Sequence, residues 1–207
     1  MYIRNKISSY LKYYLKLTLS LEKKKITPLR STAANFLGFA IRFKNNKGKK
    51  IALTSTGVLK RTTGQKATIS IDMSRLMPRL EWRHHYIDGK PREVPSWSTL
   101  TDYEIVSKFN SIIRGQVQYY APIITYRSTI NFLVYIMEYS CYKTLCQKHR
   151  ISIRKLLKKY GFPLAVKYDD KESGTSKKIE LITVKTYWGL LANTIGTIKR
   201  IEDSISI

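Results

Sequence analysis

Apolar positions recur at two different spacings along this chain, and the change from one to the other divides it. Between Ser8 and Leu21 they fall at Tyr10, Leu11, Tyr14, Leu15 and Leu17, which predicts a short amphipathic helix. Ala34 to Phe43, ANFLGFAIRF, is apolar and rich in strand formers. Asn45 to Lys50 has the composition of a hairpin loop, and Lys50 to Ser55 is the expected return strand. Ala67 to Met73 alternates as another short strand, or as a lead-in to a helix around Met73 to Trp82. His84 to Thr99, with Asp88-Gly89, Pro91 and Pro95, reads as loop, and the main boundary is placed there.

After that boundary the period becomes helical. Thr101 or Asp102 can cap a helix with Ile105, Val106, Phe109, Ile112, Ile113 and Val117 on one face, stopped by Pro122. A second helix is expected from about Ser128 to Lys148, and a third from Ser152 to Tyr160 with Ser152 as its cap and Gly161 as its stop. Short connections make these three a small bundle. Phe162 to Tyr168 and Ile179 to Tyr187 read as strands around a polar loop, Asp169 to Lys178, and Trp188 to Ile201 as a closing helix. The fold class is therefore α+β: a β-containing region at 1–95, helices at 96–161, and a mixed extension at 162–207.

Composition narrows the function. The 207 residues include 38 Lys plus Arg against 14 Asp plus Glu, a formal net charge of +24, yet 43% are hydrophobic. That hydrophobic fraction is enough for a packed core and too high for a disordered tail. A compact domain with so large a cationic excess calls for an anionic partner, and nucleic acid with its regularly spaced phosphates is the usual one. The 15 Tyr and 3 Trp favour RNA with unpaired bases over B-form duplex, although many of these rings belong to the core. Cys141 and Cys146, the only cysteines, sit on one expected helix at a spacing that does not favour a disulfide, and no zinc pattern accompanies them. No apolar run is long enough to span a membrane. The basic, Lys- and Tyr-rich start lacks the Arg bias of an import presequence.

Three stretches carry a more specific signal. Leu15 to Ile41 reads LKLTLSLEKKKITPLRSTAANFLGFAI, Asp102 to Tyr120 reads DYEIVSKFNSIIRGQVQYY, and Tyr139 to Gly161 reads YSCYKTLCQKHRISIRKLLKKYG. In order and spacing they resemble the group II intron maturases. The first is similar to the last palm segment of the reverse transcriptase in that family, with its Glu-Lys and its Phe-Leu-Gly-Phe strand; Lys24 stands where the family usually has Thr. The second resembles the start of the maturase domain, called domain X, and the third its Ser-Cys-x-x-Thr-Leu motif and basic helix, with Cys146 in place of the usual Ala. Ile69 to Ser96 fits the linker and thumb. The resemblance thus labels 1–95 a palm remnant and thumb-like region and 96–161 domain X.

What the resemblance implies is a protein that binds structured RNA and helps a group II intron fold and splice. The RNA itself performs the transesterification, so domain X needs no catalytic side chain. Candidate RNA contacts are Arg114, Gly115, Tyr119 and Tyr120 at the end of the first domain X helix, with Lys143, Thr144, Lys148, His149, Arg150, Arg154, Lys155, Lys158 and Lys159 in the acid-free block that follows. Gly115 admits close approach of a backbone, either RNA or a neighbouring helix. Tyr119 and Tyr120 should point in different directions, so that at most one stacks on a base.

The metal-binding aspartates of a reverse transcriptase belong upstream of Leu15, which leads us to expect no polymerase activity unless a separately encoded half supplies them. Tyr168-Asp169-Asp170 is not that motif, because no residue separates Tyr from the Asp pair and it follows the helices. His84-His85 reads as polar loop. No metal or other cofactor is expected. The Lys-, Ile- and Tyr-rich composition suggests an organelle, the mitochondrion ahead of the plastid. The alternative is a structural RNA-binding subunit of a larger ribonucleoprotein, such as the mitochondrial ribosome, derived from a maturase.

Overall fold

A computed structural model of the chain describes residues 2–18, 27–45, 51–53, 57–61, 65–169 and 176–189. In chain order the elements are α1 (Tyr2–Tyr14), β1 (Ala34–Phe36), β2 (Phe39–Asn45), β3 (Ile51–Leu53), β4 (Leu59–Arg61), β5 (Gln65–Ile71), α2 (Met73–Trp82), β6 (Tyr86–Ile87), β7 (Lys90–Pro91), a 3-10 turn at Pro95–Trp97, α3 (Asp102–Tyr120), α4 (Ser128–His149), α5 (Ile153–Tyr160), β8 (Ala165–Asp169) and β9 (Ser176–Glu180). The architecture is α+β. Two compact units share the chain: Met1–Ala34 with Arg42–Lys66, and Asn35–Ile41 with Ala67–Ile207.

In the first unit, Tyr10 and Tyr14 lie one helical turn apart on α1 and stack at 5.0 Å. β3 pairs antiparallel with β4, Ala52 opposite Lys60. The expected return strand therefore pairs forward rather than back onto β2, and the turn expected before it falls at 46–50, outside the described residues. The partner of β2 is instead β5, in a three-stranded sheet ordered β1-β2-β5.

ANFLGFAIRF is not one strand. It turns at Leu37-Gly38, where both residues take positive φ, +49° and +83°. That is the signature of a two-residue hairpin, for which Asn-Gly would be the usual sequence. Leu pays a steric penalty in the left-handed region, so this turn is held from outside. Asp72 N donates to Gly38 O at 2.9 Å, and the Tyr119 hydroxyl donates to Leu37 O at 2.7 Å.

The core of the second unit is the α3–α4 pair. On α3, Ile105, Val106, Phe109, Ile113 and Val117 are buried on one stripe, as their spacing predicts. Thr101 Oγ1 accepts from Glu104 N while Glu104 Oε2 accepts from Thr101 N, a reciprocal cap that starts the helix. On α4 the buried positions run around the helix: Ile130, Leu133, Val134, Ile136, Met137, Cys141, Tyr142 and Leu145. Each fully buried aliphatic or aromatic side chain contributes roughly 1.5–3 kcal/mol, which makes α4 the centre of the fold. Cys141 and Cys146 are free, and burial pushes both thiols up.

Irregular segments are fastened to these helices by side chains. On α3, Asn110 donates through Nδ2 to Glu180 O and accepts at Oδ1 from Ile182 N, both at 2.8 Å, and so extends the edge beyond β9. Thr125 receives Ile69 N on its hydroxyl and donates its own N–H to Ile69 O, which docks β5 on the α3–α4 connection. β8 and β9 pair antiparallel, Val166 opposite Ile179. The second tail strand starts at Ser176 and ends at Glu180; the expected span Ile179 to Tyr187 begins too late because Ser176, Lys177 and Lys178, though polar, pair on the exposed hairpin. The expected closing helix lies mostly at 190–207, outside the described residues. No helix among the described residues is long and apolar enough to cross a membrane.

The segment 84–99 is more ordered than its composition suggests. Asp88-Gly89 makes a hairpin turn with φ +49° and +78°, and β6 pairs with β7. His85, expected in a polar loop, is 2% exposed. Its ring meets Trp97 and Phe109 edge-on, each at 5.6 Å, and Nδ1 lies 3.4 Å from Ser140 Oγ. Burial, helped by the Arg83 and His84 charges, lowers its pKa from 6.5 to about 4.

The unfolded chain then binds a proton that the folded chain refuses between those values, so stability is whole above pH 6.5 and falls as pH drops toward 4. Denaturant titrations should show a loss approaching roughly 3 kcal/mol across that window. His85→Gln should remove most of this slope, whatever its own stability at pH 7.

Candidate nucleic-acid interface

The cations expected to contact RNA divide into two groups once α4 and α5 are folded. Lys143 Nζ donates to Pro91 O at 2.7 Å. Thr144 is fully buried; its hydroxyl accepts from Val94 N at 3.0 Å and donates to Ser140 O at 2.8 Å. It fixes a loop to α4 and does not face solvent. Lys148 Nζ donates to Leu100 O and, at 2.7 Å, to Asp102 Oδ1. His149 Nε2 lies 2.8 Å from Asp102 Oδ2, and the Tyr160 hydroxyl donates to that oxygen at 2.6 Å. Asp102, at the first turn of α3, thereby gathers the ends of α4 and α5. Its burial works to raise its pKa, but the bonds from Lys148, Tyr160 and His149 outweigh that and hold the carboxyl below the usual range. Burial and the bond to Asp102 push the Tyr160 hydroxyl up.

The second group lies at the surface, Lys159 with its ammonium over the Tyr160 ring. Arg150 ends α4 in the left-handed region at φ +52°, where Gly is usual, and turns the chain outward. Ser152 Oγ caps α5 by accepting from Lys155 N. On that short helix Leu156 is buried while Ile153 and Leu157 are half-buried. The opposite face presents Arg154, Lys155, Lys158 and Lys159 to solvent. None of these cations pairs with an acid among the described residues.

Beside this face lies a groove of about 890 Å³ between the start of α3, the end of α5 and the β8–β9 hairpin. Tyr103 and Tyr168, stacked on each other at 4.5 Å, form part of its wall. Lys159, Lys167 and Lys178 stand around it, with Lys178 bonded to Glu180. Phe162 is exposed at its edge under the Lys185 ammonium, 5.4 Å from the ring centroid. Exposed aromatic faces among lysines suit single-stranded nucleic acid.

Arg114, Gly115, Tyr119 and Tyr120 lie elsewhere, toward the end of α3. The two tyrosines do not diverge as expected. Both rings reach Phe39, Tyr119 stacked at 5.5 Å and Tyr120 edge-on at 5.4 Å, because the Leu37-Gly38 turn and the Phe39 ring after it lie against the end of the helix and draw them together. Burial and the neighbouring Tyr119 push the Tyr120 hydroxyl up, against the pull of Arg79 and Arg75. Gly115 is exposed, and a Cβ built on it meets nothing within 4 Å, so no neighbouring helix explains it. No cluster of three His, Cys, Asp or Glu suited to a metal occurs among the described residues, and Asp170 of the Tyr168-Asp169-Asp170 run lies outside them.

Residues 64–204 match the family model described as type II intron maturase. The chain belongs to that family. The chain is 29% identical over 150 residues to Maturase K of Chara vulgaris, covering 69% of the chain and 28% of that relative. It is 28% identical over 186 residues to the group II intron-encoded protein LtrA of Lactococcus lactis subsp. cremoris, covering 80% and 29%. To Maturase K of Marchantia polymorpha it is 42% identical over 73 residues, covering 35% and 20%. The chain thus spans less than a third of the length of these relatives.

Sequence reasoning missed Lys167, Lys178 and Phe162 because the tail hairpin brings them to the groove. It also missed Arg75 and Arg79, although their spacing of one turn on α2 was a usable signal. Asp102 was read as a possible cap, whereas Thr101 caps the helix and Asp102 joins three helix ends. Asp102→Asn should cost about 2 kcal/mol at pH 7 in a denaturant titration. A depressed carboxyl stabilises above its unfolded pKa and loses that contribution as pH falls through the folded value. The gap between wild type and variant should therefore close in acid below the ordinary aspartate range.

Proposed function

We propose that this maturase binds a folded intron RNA through the outward face of α5 and the adjoining groove, and helps that RNA reach its splicing-competent form. The observation that carries this reading is the division of the cationic block. Lys143, Lys148 and His149 hold the fold, while Arg150, Arg154, Lys155, Lys158 and Lys159 face solvent without acidic partners among the described residues. Such a face neutralises phosphates, and the exposed Phe162 beside it offers a surface to an unpaired base. In this role the intron RNA performs the transesterification and the protein supplies binding and orientation, so no catalytic side chain of its own takes part. Domain X, on this reading, comprises 96–161, and the β8–β9 hairpin that follows it completes the groove.

Nothing in the relatives' names speaks for a ribosomal subunit. An organellar home rests on composition, and the relatives do not favour the mitochondrion.

Replacing Arg154, Lys155 and Lys158 together by Ala should leave the melting temperature within a few degrees of wild type, since all three side chains are exposed. Affinity for the cognate RNA should fall at least ten-fold, and the slope of log K against log salt should become shallower by about 2–3. Crosslinking in cells followed by sequencing identifies that RNA. Reads concentrated in an intron support the proposal, and reads concentrated in ribosomal RNA overturn it.

A further inference from the structure

A second cavity, of about 370 Å³, lies toward the end of α3, lined by the Leu37-Gly38 turn, by Arg75 and Arg79 of α2, and by Gly115, Gln116, Tyr119 and Tyr120. Its size falls in the ordinary range for small-ligand pockets, ~300–1,000 Å³. Four independent features of it lack an explanation within the fold. Gly115 sits within a helix, where glycine is the poorest ordinary helix former after proline, yet nothing packs against it. Arg75 and Arg79 project from one face of α2 into solvent, and neither pairs with an acid among the described residues. Gln116 Oε1 is buried without a hydrogen-bond partner. Leu37 is exposed at the tip of a turn that Tyr119 holds in place.

We infer that this cavity seats one unpaired nucleotide of the bound RNA, separately from the α5 face. The chemistry of each wall assigns its part. Two guanidiniums one helical turn apart suit a phosphate, which they can grip as forks rather than as point charges. Bare backbone at Gly115 lets a ribose come closer than any side chain would allow. Leu37 and the half-exposed Tyr119 offer an apolar wall to a base. Turning of the Gln116 amide toward that base would give its carbonyl a donor from an exocyclic amine. Asp72, at the floor, accepts from Ser74 Oγ at 2.5 Å, and the two arginines outweigh its charge toward an incoming phosphate.

This inference rests on the RNA-binding reading, and the test separates the two. The full chain would be bound to a group II intron transcript carrying 4-thiouridine, irradiated, and its crosslinked peptides mapped. Affinity would be measured across salt for wild type, Gly115→Gln, Arg75→Ala/Arg79→Ala and the α5 triple variant. Crosslinks are expected on the peptides holding Leu37 and Tyr119. Gly115→Gln should melt at or above the wild-type temperature yet bind about ten-fold more weakly, the size of one lost base or phosphate contact. Arg75→Ala/Arg79→Ala should flatten the salt slope by about 1–2; it carries the test alone if Gly115→Gln fails to fold. Wild-type affinity and slope in both cavity variants, with binding lost in the α5 variant, would overturn the inference and leave the interface standing. Failure of the wild type to bind the transcript above a non-specific competitor RNA would overturn both.

Discussion

Irregular backbone laid against a helix must find partners for its N–H and C=O groups, because water no longer reaches them. In this chain side chains on α3 and α4 meet that requirement, and the rest of the second unit is arranged around them. Val94 N is received by Thr144, Arg92 O by Ser140, Pro91 O by Lys143 and Leu100 O by Lys148. On the other flank Asn110 serves Glu180 O and Ile182 N, and Glu138, itself bonded by Tyr142, accepts from Val184 N. Two polypeptide segments far apart in sequence are thus pinned to one helix pair. An unmade bond of this kind costs about 1–3 kcal/mol, so these polar positions specify the fold as firmly as the apolar ones do.

The same constraint sorts the charges. A block of cations with no acids among them would repel itself if all its members faced one way. Here some are drawn inward by carbonyl groups and by Asp102, and the remainder are left at the surface, at Arg150 and on the outer face of α5. Asp102 is pivotal because a single carboxylate accepts from the ends of two helices and so fixes the angle at which α5 leaves α4. The direction of the free cationic face is set by that junction. RNA binding, as proposed, is therefore a consequence of how the helices are tied together as well as of how many lysines the chain carries.

Much of the helical region was legible from sequence. The apolar stripe of α3, the Ser152 cap and the Gly161 stop are local signals, and local bonds suffice to realise them. The limits of legibility are equally physical. Leu37 in a left-handed turn contradicts its own preference and depends on Tyr119 and Asp72, both remote in sequence. His85 looks polar beside His84 and an Asp-Gly turn, yet Trp97 and Phe109 close over it. Thr144 and Lys148 lie in a basic, motif-like stretch that gives no hint of which members turn inward.

Sequence by itself determined the charge excess, the maturase resemblance and the positions of α3, α4 and α5, since periodicity and caps act within a few residues. Tertiary structure alone decided which cations remain free, that Tyr119 and Tyr120 share Phe39, and that Arg75 and Arg79 come to face Gly115. Those outcomes depend on which backbone groups distant segments bring within hydrogen-bonding reach, and a linear pattern does not encode such distances.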